Sequence, residues 1–587
     1  MIRASDELGQ AREFEHDSRG LVTAMIDADG SRRSISYNDF GATTQIVDRN
    51  GEVRDYVYDD AQRLIEERSS TRGVIRAYEY NEIGLPTRMT SPESTIDIDY
   101  LPTGLRRRVD HQAPGTPSWW VEYDYDGNGN TASVSDSLGG LTEYEYDGIN
   151  RMTSVRQSGT GVLPKRVDFE STSTGLPLVV SRYADLAGTV AGPVTEYTYA
   201  CDSCPEQLMR IEHRQPGGAL IDAIDYERNV LSQVLAMEDE VGRHEFVFDG
   251  RGWLSEQSHP PASGIPSGSI SWDAVGNWLS RPGQAGPATL SYAAGEQGHR
   301  LLDDGTHQYF YSNEGQWHRR VRHSDGQTLE LGYSPTMRVD SVELRDGSDQ
   351  VISSSSYVHS PTNWRVSAER DGQSRFYLHD FDNPMVAIDE LGQSVWRRLL
   401  TQNIDRPLAI ERQGQLHWLL VDHIGSVRKE VDTGGQVLSS FRYDAFGQQV
   451  DGPAPTLDDS LRYTGRDFDL PGGLAYYRAR VYDPSIARFA SEDPQPQWHY
   501  RYVDNNPLSF VDPTGEASAL QWGIFLCGIA GGLSSAYYFA LPIGQNFVNI
   551  TNALNGYAYR RSPQVIAPNI YDLYTCGLAT PSGFSSQ

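Results

Sequence analysis

The sequence predicts a mostly β fold, a long curling sheet of β-hairpins of about 21 residues each joined edge to edge, followed by a short tail that loses the repeat. Three observations predict it. Tyrosine–aspartate marks recur at a fixed spacing, and a glycine recurs in step with them. Glycine and proline are also abundant, at 56 and 31 of 587 residues, and aromatic residues reach 10%. That composition suits strands joined by tight turns. Apolar residues make up 38% and are evenly spread, so each stretch has something to bury and disorder is not expected.

The mark is aromatic-x-Tyr-Asp or a close variant. It stands at Phe14–Asp17, Ile35–Asn38, Tyr56–Asp59, Tyr78–Asn81, Tyr123–Asp126 and Tyr144–Asp147. The third positions (His16, Tyr37, Tyr58, Tyr80, Tyr125, Tyr146) lie 21, 21, 22, 45 and 21 residues apart, and the 45 conceals a unit at Asp99-Tyr100. Gly9, Gly30 and Gly51 are 21 apart and follow Asp6, Asp27 and Asp48 by three. The mark returns less regularly at Tyr197–Tyr199, Tyr226, Phe246–Asp249, Trp272, Tyr309–Tyr311 and Phe441–Asp444.

Alternation places both aromatics of Tyr-x-Tyr on one strand face. The Asp-x-x-Gly that follows supplies a turn with a residue able to take positive φ. One hairpin cannot bury its face alone. In series, hairpins join edge to edge as solenoid repeats do, and a curling ribbon hides its aromatic face and leaves few free edges. Asp6–Gly9 is only the second half of a unit, so the chain is expected to open in mid-repeat, as a fragment, a shortened gene or an uncapped natural end would.

The charge balance of 50 Lys and Arg against 79 Asp and Glu gives −29. So acidic a shell is not expected to bind nucleic acid. The acidic residues follow the repeats and read as a solvated surface. The two lysines, Lys165 and Lys429, read as a feature of composition. Four cysteines are too few for a disulfide framework. Cys201 and Cys204 lack a second matching pair, so a local disulfide or free thiols are expected rather than a metal. No cofactor is expected. No signal peptide is expected within residues 1–20, which lack an apolar run.

The pattern Tyr-x-Tyr-Asp-x-x-Gly-Arg-Leu resembles the YD repeat of Rhs proteins, insecticidal toxin-complex subunits and teneurins. Later motifs follow the Rhs order: Val421–Arg428, Phe441–Gly447, Arg462–Arg466, Gly473–Pro484, Arg488-Phe489, Glu492–Pro494, Tyr500–Pro507 and Asp512–Gly515. The stretch from Gly473 on is similar to the Rhs repeat-associated core, and the resemblance covers about residues 6–515. It implies a cocoon-like, spiralling β-hairpin shell over 1–440, smaller or incomplete beside larger family members, a core plug over 441–515 and a variable, partly helical tail over 516–587, which such shells enclose as a toxin.

The resemblance also implies self-cleavage by an aspartyl pair with a nearby arginine. Carried over residue by residue, these are Asp493, Asp512 and Arg480, and the bond is Glu516–Ala517. Two carboxylates close together share a proton, so one can activate water while the other protonates the leaving group. Three features depart from the family's pattern. Glu516 replaces an apolar Leu, Asp493 and Asp512 are 19 residues apart rather than roughly two dozen, and Ala487 stands where Gly usually precedes Arg488-Phe489. The competing reading is that each Asp-Pro simply opens a turn.

Other candidates are weaker. Asp124–Asn130 is like half a calcium loop, but its twelfth position is Ser135 and the same residues serve as a repeat turn. His379-Asp380 and Asp422-His423 pair imidazole with carboxylate, yet no nucleophile motif accompanies them. In the tail, residues 520–541 carry no charge and are long enough to span a bilayer. They read either as a membrane segment or as a helix buried in the shell.

Three functions follow as expectations. One is a secreted or cell-surface toxin carrier whose cargo is its own tail, served by an immunity or secretion-system partner. The second is a non-enzymatic adhesion or scaffold protein that binds glycans or proteins. The third is a degenerate relic.

Overall fold

The computed structural model describes residues 2–5, 11–26, 30–113, 118–200, 207–282, 290–292, 299–493 and 500–516. Among them, 24 strands from Ile2–Ser5 to Gly268–Ser269 form one antiparallel sheet, and each pairs with the next along the chain. A second sheet of 15 strands runs from Ser291–Tyr292 to Val437–Ser440 with the same rule of pairing. Two short hairpins follow other connections, Ser271–Trp272 with Trp278–Ser280 and Arg442–Tyr443 with Gln449–Asp451. The strands Asp467–Leu470, Leu474–Tyr477, Arg480–Asp483 and Arg488–Phe489 make a small separate sheet.

The 21-residue unit has a direct physical basis. In the unit at Tyr144–Asp147 the first aromatic is buried, while the Tyr146 hydroxyl donates to the Thr131 carbonyl of the preceding hairpin at 2.8 Å. The same tie runs from Tyr37 to Val22 (2.7 Å), Tyr58 to Thr43 (2.8 Å), Tyr125 to Arg106 (2.8 Å) and Tyr199 to Pro177 (2.9 Å). The Asp147 carboxylate accepts the Ile149 and Arg151 amides at 3.0 and 2.9 Å, so the aspartate caps its own turn. The tyrosine thus ties hairpin to hairpin, and the aspartate closes the turn within one.

Each unit also carries a bulge. Glu145 pairs with Ser154 and Tyr146 with Met152, which leaves Thr153 as an extra residue. The same shift recurs at Val57/Tyr58, Asp124/Tyr125 and Thr198/Tyr199. Bulges sharpen the right-handed twist, and one per hairpin bends the ribbon into a curved wall.

The two sheets meet. Tyr123, Tyr144, Val155 and Val167 of the first share an apolar cluster with Leu399, Trp418 and Leu420 of the second. Buried ion pairs cross the same junction: Asp136 with Arg397, Lys165 with Glu411 at 3.0 Å and Asp239 with Arg428 at 2.6 Å. Lys429 reaches Glu240 at 2.8 Å. Both lysines are therefore structural members of this junction, more than composition alone suggests.

Residues after Ser440 pack against the apolar face of the wall. Tyr463, Phe468, Tyr477, Tyr482, Phe489 and Tyr502 belong to one apolar cluster with Trp317, Leu329, Tyr377 and Trp396. Ion pairs hold the two parts in register, Arg365 to Asp469 at 2.7 Å, Arg398 to Asp467 at 2.6 Å and Arg375 to Asp458 at 2.6 Å. No helix of the described residues is long and apolar enough to cross a membrane. The cysteines, the apolar segment 520–541 and the rest of the tail from 517 lie outside the described residues.

Candidate functional site

Arg480 opens the third strand of the small sheet, and its neighbour Tyr477 pairs with it across the hairpin. The segment 512–516 returns beside that hairpin, where the Ala479 amide donates to the Thr514 carbonyl at 3.0 Å. Asp493 follows the strand Arg488–Phe489. Three stretches far apart in sequence therefore meet at one guanidinium. Arg480 Nη2 lies 2.7 Å from Asp493 Oδ2 and 3.4 Å from Asp512 Oδ2. Arg480 Nε donates to the Gly515 carbonyl. The Arg480 guanidinium also lies over the Phe489 ring, 3.6 Å from its centroid. The side chains of Arg480, Asp493 and Asp512 are 3%, 1% and 1% exposed.

The segment that leads to the tail is fastened along its length. Asp512 Oδ1 accepts the Gly515 amide at 2.8 Å, and Thr514 Oγ1 accepts the Glu516 amide at 3.1 Å. The Pro513 carbonyl accepts from Arg466 at 3.3 Å and from Arg478. Arg466 and Arg478 are in turn set by Asp405, at 2.8 Å each. Burial alone would raise the Asp405 carboxyl, but the two guanidiniums overcome this and hold it below the usual range. Gly515 sits at φ +73, and a Cβ there would meet the Tyr477 carbonyl oxygen at 2.2 Å, so glycine is required by close approach as well as by conformation.

The structure thus brings Asp493, Asp512 and Arg480 together and places Glu516 one peptide beyond the Gly515 carbonyl that Arg480 holds. Ala517 lies outside the described residues. The Glu516 side chain meets a partner that sequence reasoning missed: Arg338 Nη2 lies 3.4 Å from Glu516 Oε1, and Arg338 Nη1 donates to the Ala479 carbonyl at 2.7 Å. Burial lowers the Arg338 guanidinium and the Glu516 carboxylate draws it back up, leaving it below its ordinary range. No local signal could have found Arg338, because only the tertiary fold brings it to the cluster. Ala487, the other departure, sits at φ 52, which explains why glycine would be at home there.

The remaining candidates fall to structural roles. Asp126 accepts the Asn128 and Asn130 amides at 2.9 Å each and the Asn130 side-chain amide at 2.8 Å, as a repeat turn requires. His379 stacks on Trp364, and Asp380 accepts the Tyr123 hydroxyl at 3.1 Å. Asp422 caps its own turn, and His423 lies between the Tyr226 hydroxyl and the Leu508 carbonyl. Among the described residues no group of three or more His, Cys, Asp or Glu could hold a metal ion.

A family model described as RHS Repeat matches residues 125–162. Salivary gland surface protein 1 of Aedes aegypti is 30% identical over 223 residues, which is 36% of this chain and 6% of that protein. The tRNA3(Ser)-specific nuclease WapA of Bacillus spizizenii is 28% identical over 162 residues, 26% of this chain and 7% of its own length. A solved structure of the Photorhabdus luminescens Tc holotoxin pore aligns with a TM-score of 0.68 at 16% identity, over 88% of this chain and 29% of that one. The matches thus span small parts of much longer proteins, and the structural likeness is one of fold.

Proposed function

Because this chain belongs to the Rhs/YD-repeat family, we propose that it is a toxin carrier: residues 1–440 form the shell, 441–515 the plug, and 516–587 the tail, of which the plug releases 517–587 as cargo. The meeting of Asp493 and Asp512 on Arg480, with the Gly515 carbonyl on the same guanidinium, is the observation that carries this reading. Two carboxylates against one cation leave one negative charge in excess, which a single shared proton removes. The ionised member takes a proton from water as its oxygen bonds to the Glu516 carbonyl carbon. The protonated member gives its proton to the Ala517 nitrogen as the C–N bond breaks. One water is consumed, and a Glu516 carboxyl and an Ala517 amine result.

Intact mass of the purified full chain tests this. The expected products are residues 1–516 and 517–587, with neither formed by Asp493→Asn or Asp512→Asn. An uncut wild-type chain removes the cleavage step. The surface protein among the relatives favours a second reading, a secreted or cell-surface scaffold that binds glycans or proteins. Glycan retention by the full chain, with no toxicity of residues 517–587 expressed alone, would favour that second reading; toxicity of the tail would favour the carrier, with an immunity partner and membrane action through 520–541 then to be sought.

A further inference from the structure

The residue before the scissile bond is where this chain departs most from the pattern it resembles, since a carboxylate stands where an apolar side chain would be seated. A carboxylate cannot use an apolar seat without losing its hydration. The surroundings here answer that need. Arg338 precedes the wall strand Val339–Arg345 and is 14% exposed at its side chain, against 32% for Glu516. It reaches inward with two groups in use, one on the Ala479 carbonyl and one on Glu516. Ala479 also holds Thr514 through its amide and adjoins Arg480, so Arg338 ties Glu516 to the same backbone that carries the candidate cleavage cluster.

Building on the self-cleavage reading, we propose that Arg338 determines the residue accepted before the scissile bond, selecting a carboxylate by ion pairing where an apolar pocket would select leucine. Arg338 is a specificity residue supplied by the wall rather than by the plug. It touches the Glu516 side chain and is not required to move a proton. Its partner is defined by charge, so the two positions must change together. Removing one side of a pair strands the other, whereas removing both restores a neutral contact.

The test is a time course of intact mass on the full chain with five proteins: wild type, Arg338→Leu, Glu516→Leu, the double variant Arg338→Leu/Glu516→Leu and the reversed pair Arg338→Glu/Glu516→Arg. Circular dichroism and thermal unfolding check that each is folded. Each single variant is expected to cleave at least tenfold more slowly than wild type. The double leucine variant is expected to return to within about threefold of it, and the reversed pair to cleave faster than either single variant. A structural role for Arg338 alone would not produce that rescue. Should Arg338→Leu fail to fold, Arg338→Gln and Glu516→Gln give the same comparison with less change of volume. Wild-type cleavage with an unchanged rate in the folded single variants, or a double variant no faster than the singles, overturns the proposal while leaving self-cleavage standing. An uncut wild-type chain overturns both.

Discussion

At the residue scale, Ala487 stands at a backbone position built for glycine. Its φ of 52 is a conformation that an L side chain pays for and glycine does not. Ala487→Gly is therefore expected to stabilise the folded chain by about 1 kcal/mol, read as a shift in denaturant midpoint. A loss of stability would mean that the buried methyl packs better than the backbone argument allows. Asp493, Asp512 and Arg480 were legible because each sits in a recognisable short motif. Glu516 was legible only as an oddity. Its partner Arg338 lies in an unremarkable stretch just before a wall strand, and ion pairs between distant elements leave no mark in sequence.

At the element scale, the hairpin period was readable because turn chemistry and aromatic alternation repeat together over 21 residues. The tie from each tyrosine hydroxyl to the preceding hairpin was not readable, since it needs the register that the bulge creates. Tyr146→Phe removes one such tie and is expected to cost about 1 kcal/mol, and Tyr58→Phe a similar amount, by chemical denaturation. Equal stability of both variants would show that the ties are incidental. The junction of the two sheets makes a sharper case. Asp136 and Arg397 are buried and paired, so Arg397→Ala should cost about 3–5 kcal/mol by leaving a carboxylate unpaired. The double change Asp136→Leu/Arg397→Met should be far milder. A double variant as unstable as the single would place the cost in packing rather than charge.

At the scale of the whole molecule, burial makes the fold sensitive to acid. Burial lowers His111 to about 4, and burial, with Arg182 nearby, lowers His213 to about 3. A histidine depressed in the folded state binds its proton more readily once unfolded, so its contribution is complete above about 6.5 and is lost as pH falls through that value. Each such group should remove up to about 1.4 kcal/mol per pH unit below 6.5. Asp405, held below its usual range, acts in the same direction at lower pH. The melting temperature is expected to drop steadily from pH 6.5 to pH 4, and less steeply in His213→Gln. A flat profile would show that these rings are not neutral and enclosed. The mostly β architecture was legible at this scale, whereas the meeting of the two sheets was not, because it depends on curvature accumulated from many bulges.

The junction has one more consequence. The chain's two lysines are both spent there, Lys165 fully buried and Lys429 5% exposed. The folded protein therefore offers amine-reactive dyes and acylating agents no ready side chain, although arginine is plentiful on its surface. Uptake of such a reagent at Lys165 and Lys429, mapped by peptide mass, would report the parting of the two sheets directly, with a silent background until they separate.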